Sequence, residues 1–362
     1  MPMTRILQQI TNPRINENGV TWFYRGKQSP RLIGDFNFWN AEKALLFAKN
    51  QDGSWETHLE LPEDAYLEYA LWINGKRKLD PLNKLKVHNG LGEWNNYFYM
   101  PRFVETPYLQ ERSGKSLFRT ESHILRDPLR LTNGKRCVHF YIPTDKGSFP
   151  LLVIFDGQEY LENGKVIQII EALIDQGKIQ PIAVALVDNI YQNRFVEYAC
   201  NDGTVSFITR NVISAARSIM PLLDTGEQKG AFGIMGASMG GLMALYSALR
   251  EPGIFGKVLC QAGAFKMYED DFSIYEFVDG VITRPLKIWM NVGCFDFLCE
   301  ENLRMKDLLL KKGYSTDFVM NNGGHNYTTW RNSLHLGLMK MFPPKKKIKK
   351  DSPCQKIFYS KQ

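Results

Sequence analysis

Residues 229–241 read Lys229-Gly230-Ala231-Phe232-Gly233-Ile234-Met235-Gly236-Ala237-Ser238-Met239-Gly240-Gly241, and Leu242-Met243-Ala244-Leu245-Tyr246-Ser247-Ala248-Leu249-Arg250 follow. An apolar strand pattern runs into G-x-S-x-G-G and then into an alanine- and leucine-rich helical pattern. Glycines on either side of Ser238 let strand and helix pack closely enough for a sharp turn, which lifts the serine out at the end of a sheet. Met239 N–H then opens the helix, where unpaired backbone donors and the helix dipole favour an oxyanion. The pattern by itself is weak, and its place between a strand and a helix gives it weight. A glycine-rich turn inside a helical core is the plain alternative.

Outward from this stretch, strand and helix patterns alternate. Strands are expected over Ser122–Arg126, Cys137–Ile142, Leu151–Phe155, Ile182–Val187, Ala231–Met235, Lys257–Gln261, Leu286–Val292 and Thr316–Met320, with helices such as Val166–Gln176 and Glu300–Lys312 between the later ones. Eight strands with crossovers imply an α/β fold, a mostly parallel eight-stranded sheet covered by helices. The first hundred residues differ. Gly19–Gly26, Arg31–Phe36, Trp55–Leu61 and Tyr66–Ile73, the last ending in the turn Asn74-Gly75, are short strands at sandwich spacing. The expected division is a β-sandwich over 1–105, a linker over 106–118, a catalytic α/β domain over 119–342 and a basic tail over 343–362.

The formal charge of +7 misleads about the folded body, because residues 343–362 carry seven lysines and one aspartate. What remains is near neutral and offers no electrostatic case for nucleic acid. Pro343-Pro344-Lys345-Lys346-Lys347-Ile348-Lys349-Lys350-Asp351 reads as a solvated tail, and it also looks like a nuclear-import signal or a contact for anionic surfaces. The six cysteines, Cys137, Cys200, Cys260, Cys294, Cys299 and Cys354, form no CxxC pair and read as small buried hydrophobes in a reducing compartment. The N-terminus shows no signal peptide and no stretch is long and apolar enough for a membrane span, so the cytoplasm is the default.

A serine hydroxyl needs a base within hydrogen-bond reach. Of six histidines, His58, His88 and His139 sit in strand or turn contexts away from the sheet's C-terminal edge, and His335 reads as a surface residue of a helix. His325 follows the last strand through Asn321-Asn322-Gly323-Gly324, at the edge where open α/β sheets build sites. The third group must be a carboxylate that fixes the imidazole tautomer. Asp296 stands just past Leu286–Val292, giving the order Ser, Asp, His found in α/β-hydrolases. Glu300 and Glu301 are the alternatives, although the first turn of a helix accounts for them. The second oxyanion donor is expected from Gly157 or Gln158, after Leu151–Phe155.

Together these residues resemble the enterochelin esterase family, within the esterase D-like branch of α/β-hydrolases. Val20-Thr21-Trp22-Phe23-Tyr24-Arg25-Gly26, Gly34-Asp35-Phe36-Asn37-Phe38-Trp39 and Asp80-Pro81-Leu82-Asn83 look like that family's immunoglobulin-like early-set domain. Phe155-Asp156-Gly157, Arg194-Phe195-Val196-Glu197-Tyr198, the Ser238 turn, Gly323-Gly324-His325 and Trp330-Arg331 carry the rest. The resemblance implies a serine esterase acting on a siderophore or related small-molecule ester, with Ser238, Asp296 and His325 as triad, Arg194 and Glu197 shaping the pocket, and no metal or organic cofactor. Two departures stand out: Ser218-Ile219-Met220-Pro221 replaces the usual glutamate-leucine-valine-proline, and Asn326 replaces the commoner aspartate after the histidine. No set of arginines and lysines suited to a triply anionic ferric catecholate is visible. Five of seven tryptophans (Trp22, Trp39, Trp55, Trp72, Trp94) fall in the first hundred residues, which leaves open a carbohydrate-linked acetyl or feruloyl esterase. A non-catalytic binding protein on the same fold is the third reading.

Overall fold

The computed structural model describes residues 11–345 except 18, 91, 111–113, 127–134, 145 and 268–269. The amino-terminal segment, Cys354 and the lysine-rich run from 346 lie outside these residues. The strands of the large sheet are β1 (Phe118–Arg126), β2 (Lys135–Pro143), β3 (Leu151–Phe155), β4 (Ala183–Val187), β5 (Phe232–Ala237), β6 (Phe255–Gln261), β7 (Lys287–Gly293) and β8 (Ser315–Asn321). Their spatial order is β1-β2-β4-β3-β5-β6-β7-β8. β1 pairs antiparallel with β2, and β2 antiparallel with β4, whereas the remaining neighbours are parallel, so the sheet is mixed.

The continuous apolar runs of β3 and β4 follow from burial on both faces. Leu151, Val153 and Phe155 point into one helical layer, Leu152 and Ile154 into the other. The first layer contains α3 (Met239–Arg250) and α4 (Cys299–Lys311), and the second contains α1 (Val166–Asp175) and α5 (Tyr327–Met341). Within α3, every residue from Met239 to Leu249 is buried, which explains why that helix lacks a polar face.

Residues 14–99 form two further antiparallel sheets. Their shared core centres on Trp22, which is fully buried and meets Tyr69 and Phe98 edge-on at 5.6 and 5.4 Å. Trp22 is thus core, while Trp94 is exposed. These sheets are stitched to the loop after β8: Tyr66 N–H donates to Asn322 O at 3.2 Å, and Asn322 Nδ2 donates to Asp64 at 2.7 Å.

Antiparallel pairing corrects the reading of His139. Because β2 runs against β4, its early residues lie beside the C-terminal end of β4, and His139 Nε2 stands 3.2 Å from Asp188. The cysteine reading is also corrected in part. The five described cysteines are free, but only Cys260 is buried, and the other four are half-buried at strand and helix ends.

Candidate functional site

The ends of β3, β5, β7 and β8 and one rim of the amino-terminal sheets enclose a cavity of about 730 Å³. Ser238 occupies the turn from β5 into α3 with φ 55° and ψ −125°. That region is costly for a side-chain-bearing residue, and such strain marks functional turns. A Cβ on Gly236 would collide with the Gly240 backbone, so the crossing of strand and helix requires glycine there. The Ser238 carbonyl accepts from Gly241, Leu242 and Ala264, and its N–H donates to Gln261 O at 2.9 Å. The Ser238 backbone is thereby fixed at the cavity wall, with Met239 beside it as the first residue of α3.

His325 Nδ1–H donates to Asp296, with both carboxylate oxygens at 3.0 and 2.9 Å. The two loops are zipped together: Cys294 N–H donates to Asn321 O and Phe295 N–H to Gly323 O. Asp296 also accepts from Leu298 N–H at 2.9 Å, which fixes its rotamer. Phe297 lies over the imidazole at 4.6 Å, and Trp330 meets it edge-on at 5.0 Å. Glu300 and Glu301 occupy the first turn of α4. His325 and Ser238 line the same cavity.

Asp156, at the end of β3 with φ 56°, is almost fully buried. Arg194 grips it with both prongs, Nε to Oδ1 at 2.8 Å and Nη2 to Oδ2 at 2.7 Å, and Asn189 adds a third bond at 2.6 Å. Arg194 Nη2 also reaches Ala237 O at 3.3 Å, which ties the β3 loop to the serine turn. Gly157 is packed so closely on β4 that a Cβ would meet the Leu186 carbonyl carbon at 2.8 Å. The Gln158 N–H faces the Asp188 carboxylate, and the Gln158 side chain bonds Glu162 at 3.0 Å.

Two expectations are corrected. Glu197 does not reach the cavity. It is buried against Arg136, whose Nε lies 3.3 Å from Oε2, because the helix Arg194–Tyr198 turns this face toward β2. His335 is half-buried, its ring tilted against Tyr108 at 5.2 Å, because residues 106–109 cover that side of α5.

The amino-terminal sheets contribute two of the tryptophans named above, Trp39 and Trp72, and three charged residues that the sequence does not mark as site residues. Asp35, Trp39, Glu68, Trp72 and Arg77 all line the cavity. Asp35 accepts from Trp39 Nε1 at 2.9 Å, Glu68 N–H at 2.8 Å and Asn326 Nδ2 at 3.2 Å. Burial raises the carboxyls of Asp35 and Glu68 well above the usual range and outweighs the hydrogen bonds that lower them, from Glu68 N–H and Trp39 to Asp35 and from Asn95 to Glu68. A signal for Glu68 was present: an acid in the middle of the apolar run Tyr66–Ile73, where a charge needs a reason. Among the described residues, Cys137, His139 and Asp188 could hold a metal ion, their ligand atoms lying within 4.8 Å of one another. No helix of the described residues is long and apolar enough to cross a membrane.

Residues 130–341 match the family described as "Putative esterase". The chain is 26% identical to the iron(III) salmochelin esterase of Escherichia coli O6:H1 over 83% of its own length and 80% of the relative's. It is 24% identical to the iron(III) enterobactin esterase of the same organism, over 73% of this chain and 67% of that one. Its fold is similar to the crystal structure of ferric enterobactin esterase from Salmonella typhimurium, with a TM-score of 0.75, 20% identity, and coverage of 91% of this chain and 96% of that one.

Proposed function

The chain belongs to this esterase family, and from that premise we propose that it hydrolyses carboxylic esters through an acyl-enzyme on Ser238. The contact of His325 with Asp296 at the wall that also carries Ser238 is the observation that carries this reading. Ser238 Oγ attacks the ester carbonyl carbon as His325 Nε2 takes the hydroxyl proton. The tetrahedral intermediate collapses, the carbonyl–alkoxy bond breaks, and His325 returns the proton to the departing alcohol. Water then repeats the sequence on the acyl-enzyme and releases the acid. Asp296 fixes the tautomer and stabilises the imidazolium.

Met239 N–H and Gly157 N–H are the proposed oxyanion donors. Gln158 is the other β3-loop candidate. Arg194 is a positioning residue in this scheme: its grip on Asp156 and Ala237 O keeps the two donor-bearing loops in register.

The relatives' names support a siderophore-type ester as substrate. The aromatic residues around the cavity favour a second reading, an aromatic ester of the feruloyl type. A panel of aryl and siderophore esters with product identification separates them. A fluorophosphonate probe should label Ser238, and both label and turnover should vanish in Ser238→Ala. Label retained in that variant would overturn the nucleophile assignment, and absence of turnover on every ester would favour a binding protein.

A further inference from the structure

On the reading of this cavity as an ester-hydrolysing site, we infer that its occupant is an aromatic ester without anionic groups, a cationic substituent being accepted better than a neutral one and a neutral one better than an anion.

Charge is the first ground. Among the described residues, the cavity carries the carboxyl groups of Asp35, Glu68, Glu93, Asp156 and Glu159 against the guanidinium groups of Arg77 and Arg194. Both arginines are committed. Arg194 spans Asp156 in a two-pronged bond, and Arg77 pairs with Glu93 at 3.1 Å while donating to Trp94 O at 2.8 Å. The remaining acids are held by neutral donors: Asp35 by an indole, a backbone N–H and an amide, and Glu68 by the Asn95 amide at 2.5 Å. Burial lifts the Glu159 carboxyl to about 7. An anion entering this space gains no free cation and opposes the ionisation of buried carboxyls that are partly protonated near neutral pH, whereas a cation favours their charged form. A cation supplies the missing partner.

Shape is the second ground and is independent of the first. Four large apolar side chains of the lining stand open, with Phe38 at 46%, Tyr191 at 59%, Phe195 at 43% and Phe297 at 50% exposure. Phe38 and its neighbour Trp39 are both left-handed, at φ 57° and 58°. Exposed aromatic side chains lining one concave site mark a recognition surface. Stacking platforms of this kind suit a flat aromatic ring. A triply anionic iron(III) tricatecholate is therefore a poor occupant, and uncharged aromatic esters are good ones.

The test uses three phenyl acetates with a para CH₂ group bearing trimethylammonium, tert-butyl or sulfonate. Their sizes are alike, and the methylene insulates the ester from the substituent. On the full chain, kcat/KM should fall in that order, with the sulfonate on the order of tenfold or more below the tert-butyl ester. The matching acetanilides, titrated against Ser238→Ala protein, read the same order as binding without turnover. Sulfonate bound as well as or better than tert-butyl overturns the inference, even if wild-type protein hydrolyses all three esters. Binding in the expected order with no turnover by the wild-type chain sustains the charge inference and removes the ester-hydrolase reading.

Discussion

Asp35, carried by the amino-terminal sheets, accepts a hydrogen bond from Asn326, the residue directly after His325. The same Asn326 uses its oxygen to cap α5, accepting from Thr329 N–H at 2.9 Å. One amide therefore joins three parts: the β-sheet region, the histidine loop and the helix that follows it. Gly324 completes the joint, since a Cβ there would fall inside the Asp35 carboxyl. The amino-terminal sheets are thus built into the wall of the site.

Asn326→Asp keeps the helix cap but sets a second carboxyl against Asp35 in a buried place. It should destabilise the protein by about 1–3 kcal/mol, the penalty for an unsatisfied buried polar pair. Turnover should fall by roughly 10- to 100-fold, the scale of a small displacement of a catalytic group. Asp35→Asn combined with it should be less harmful than the two single losses added together, because the introduced amide restores a donor to the pair. Strict additivity in denaturation and kcat would show that the two residues are not coupled.

Asp296→Asn should leave the fold intact and lower turnover by about 10⁴, because the amide presents the wrong tautomer partner to His325. Glu300→Gln and Glu301→Gln should cost only helix-dipole stabilisation, about 0.3–1 kcal/mol each. Turnover and thermal melts of the three variants decide the assignment. Near-normal activity in Asp296→Asn would place the acid elsewhere.

The contrast between the legible and illegible parts of the site has a physical cause. Ser238, Asp296 and His325 each follow a strand in the parallel part of the mixed sheet, and strand periodicity with chain order is what makes such positions legible. The limits of β3 were read to the residue, and β5 and β7 within two residues at each end, because runs buried on both faces are unbroken. Glu197 was misplaced because one helical turn separates it from Arg194, and the identity of the face toward β2 depends on the antiparallel placement of that strand. Asp35, Glu68 and Arg77 are not legible as cavity residues because a contact between two separately patterned regions leaves no period in either.

The buried pair of Glu197 and Arg136 supports the fold and leaves substrate contacts alone. Both side chains are almost wholly enclosed, so removing either partner strands a charge. Glu197→Ala should cost about 3–5 kcal/mol. Residual folded protein should retain its KM, because Glu197 is absent from the cavity lining. Urea denaturation followed by KM at a permissive temperature separates the two effects. A raised KM in a variant of undiminished stability would return Glu197 to the pocket.

Glu159 makes the fold's stability pH-dependent in a direction opposite to that of a salt-bridged acid. Burial is the main cause of the rise of its carboxyl from 4.5 to about 7, and the nearby Asp156 charge adds to it. Between those values the folded chain holds a proton that the unfolded chain has lost, so stability falls as pH rises across that window. Below it, both states are protonated and the residue contributes nothing. Above it, both are ionised and the full cost of the buried charge is present. Glu159→Gln is neutral throughout and removes the linkage. The difference in Tm, variant minus wild type, should therefore increase from pH 4.5 to about 7 and then level off. Subtracting the two profiles cancels every other titrating group that the substitution does not touch. A difference that stays flat across the window would mean that Glu159 ionises like an ordinary surface carboxylate and is fully charged at neutral pH.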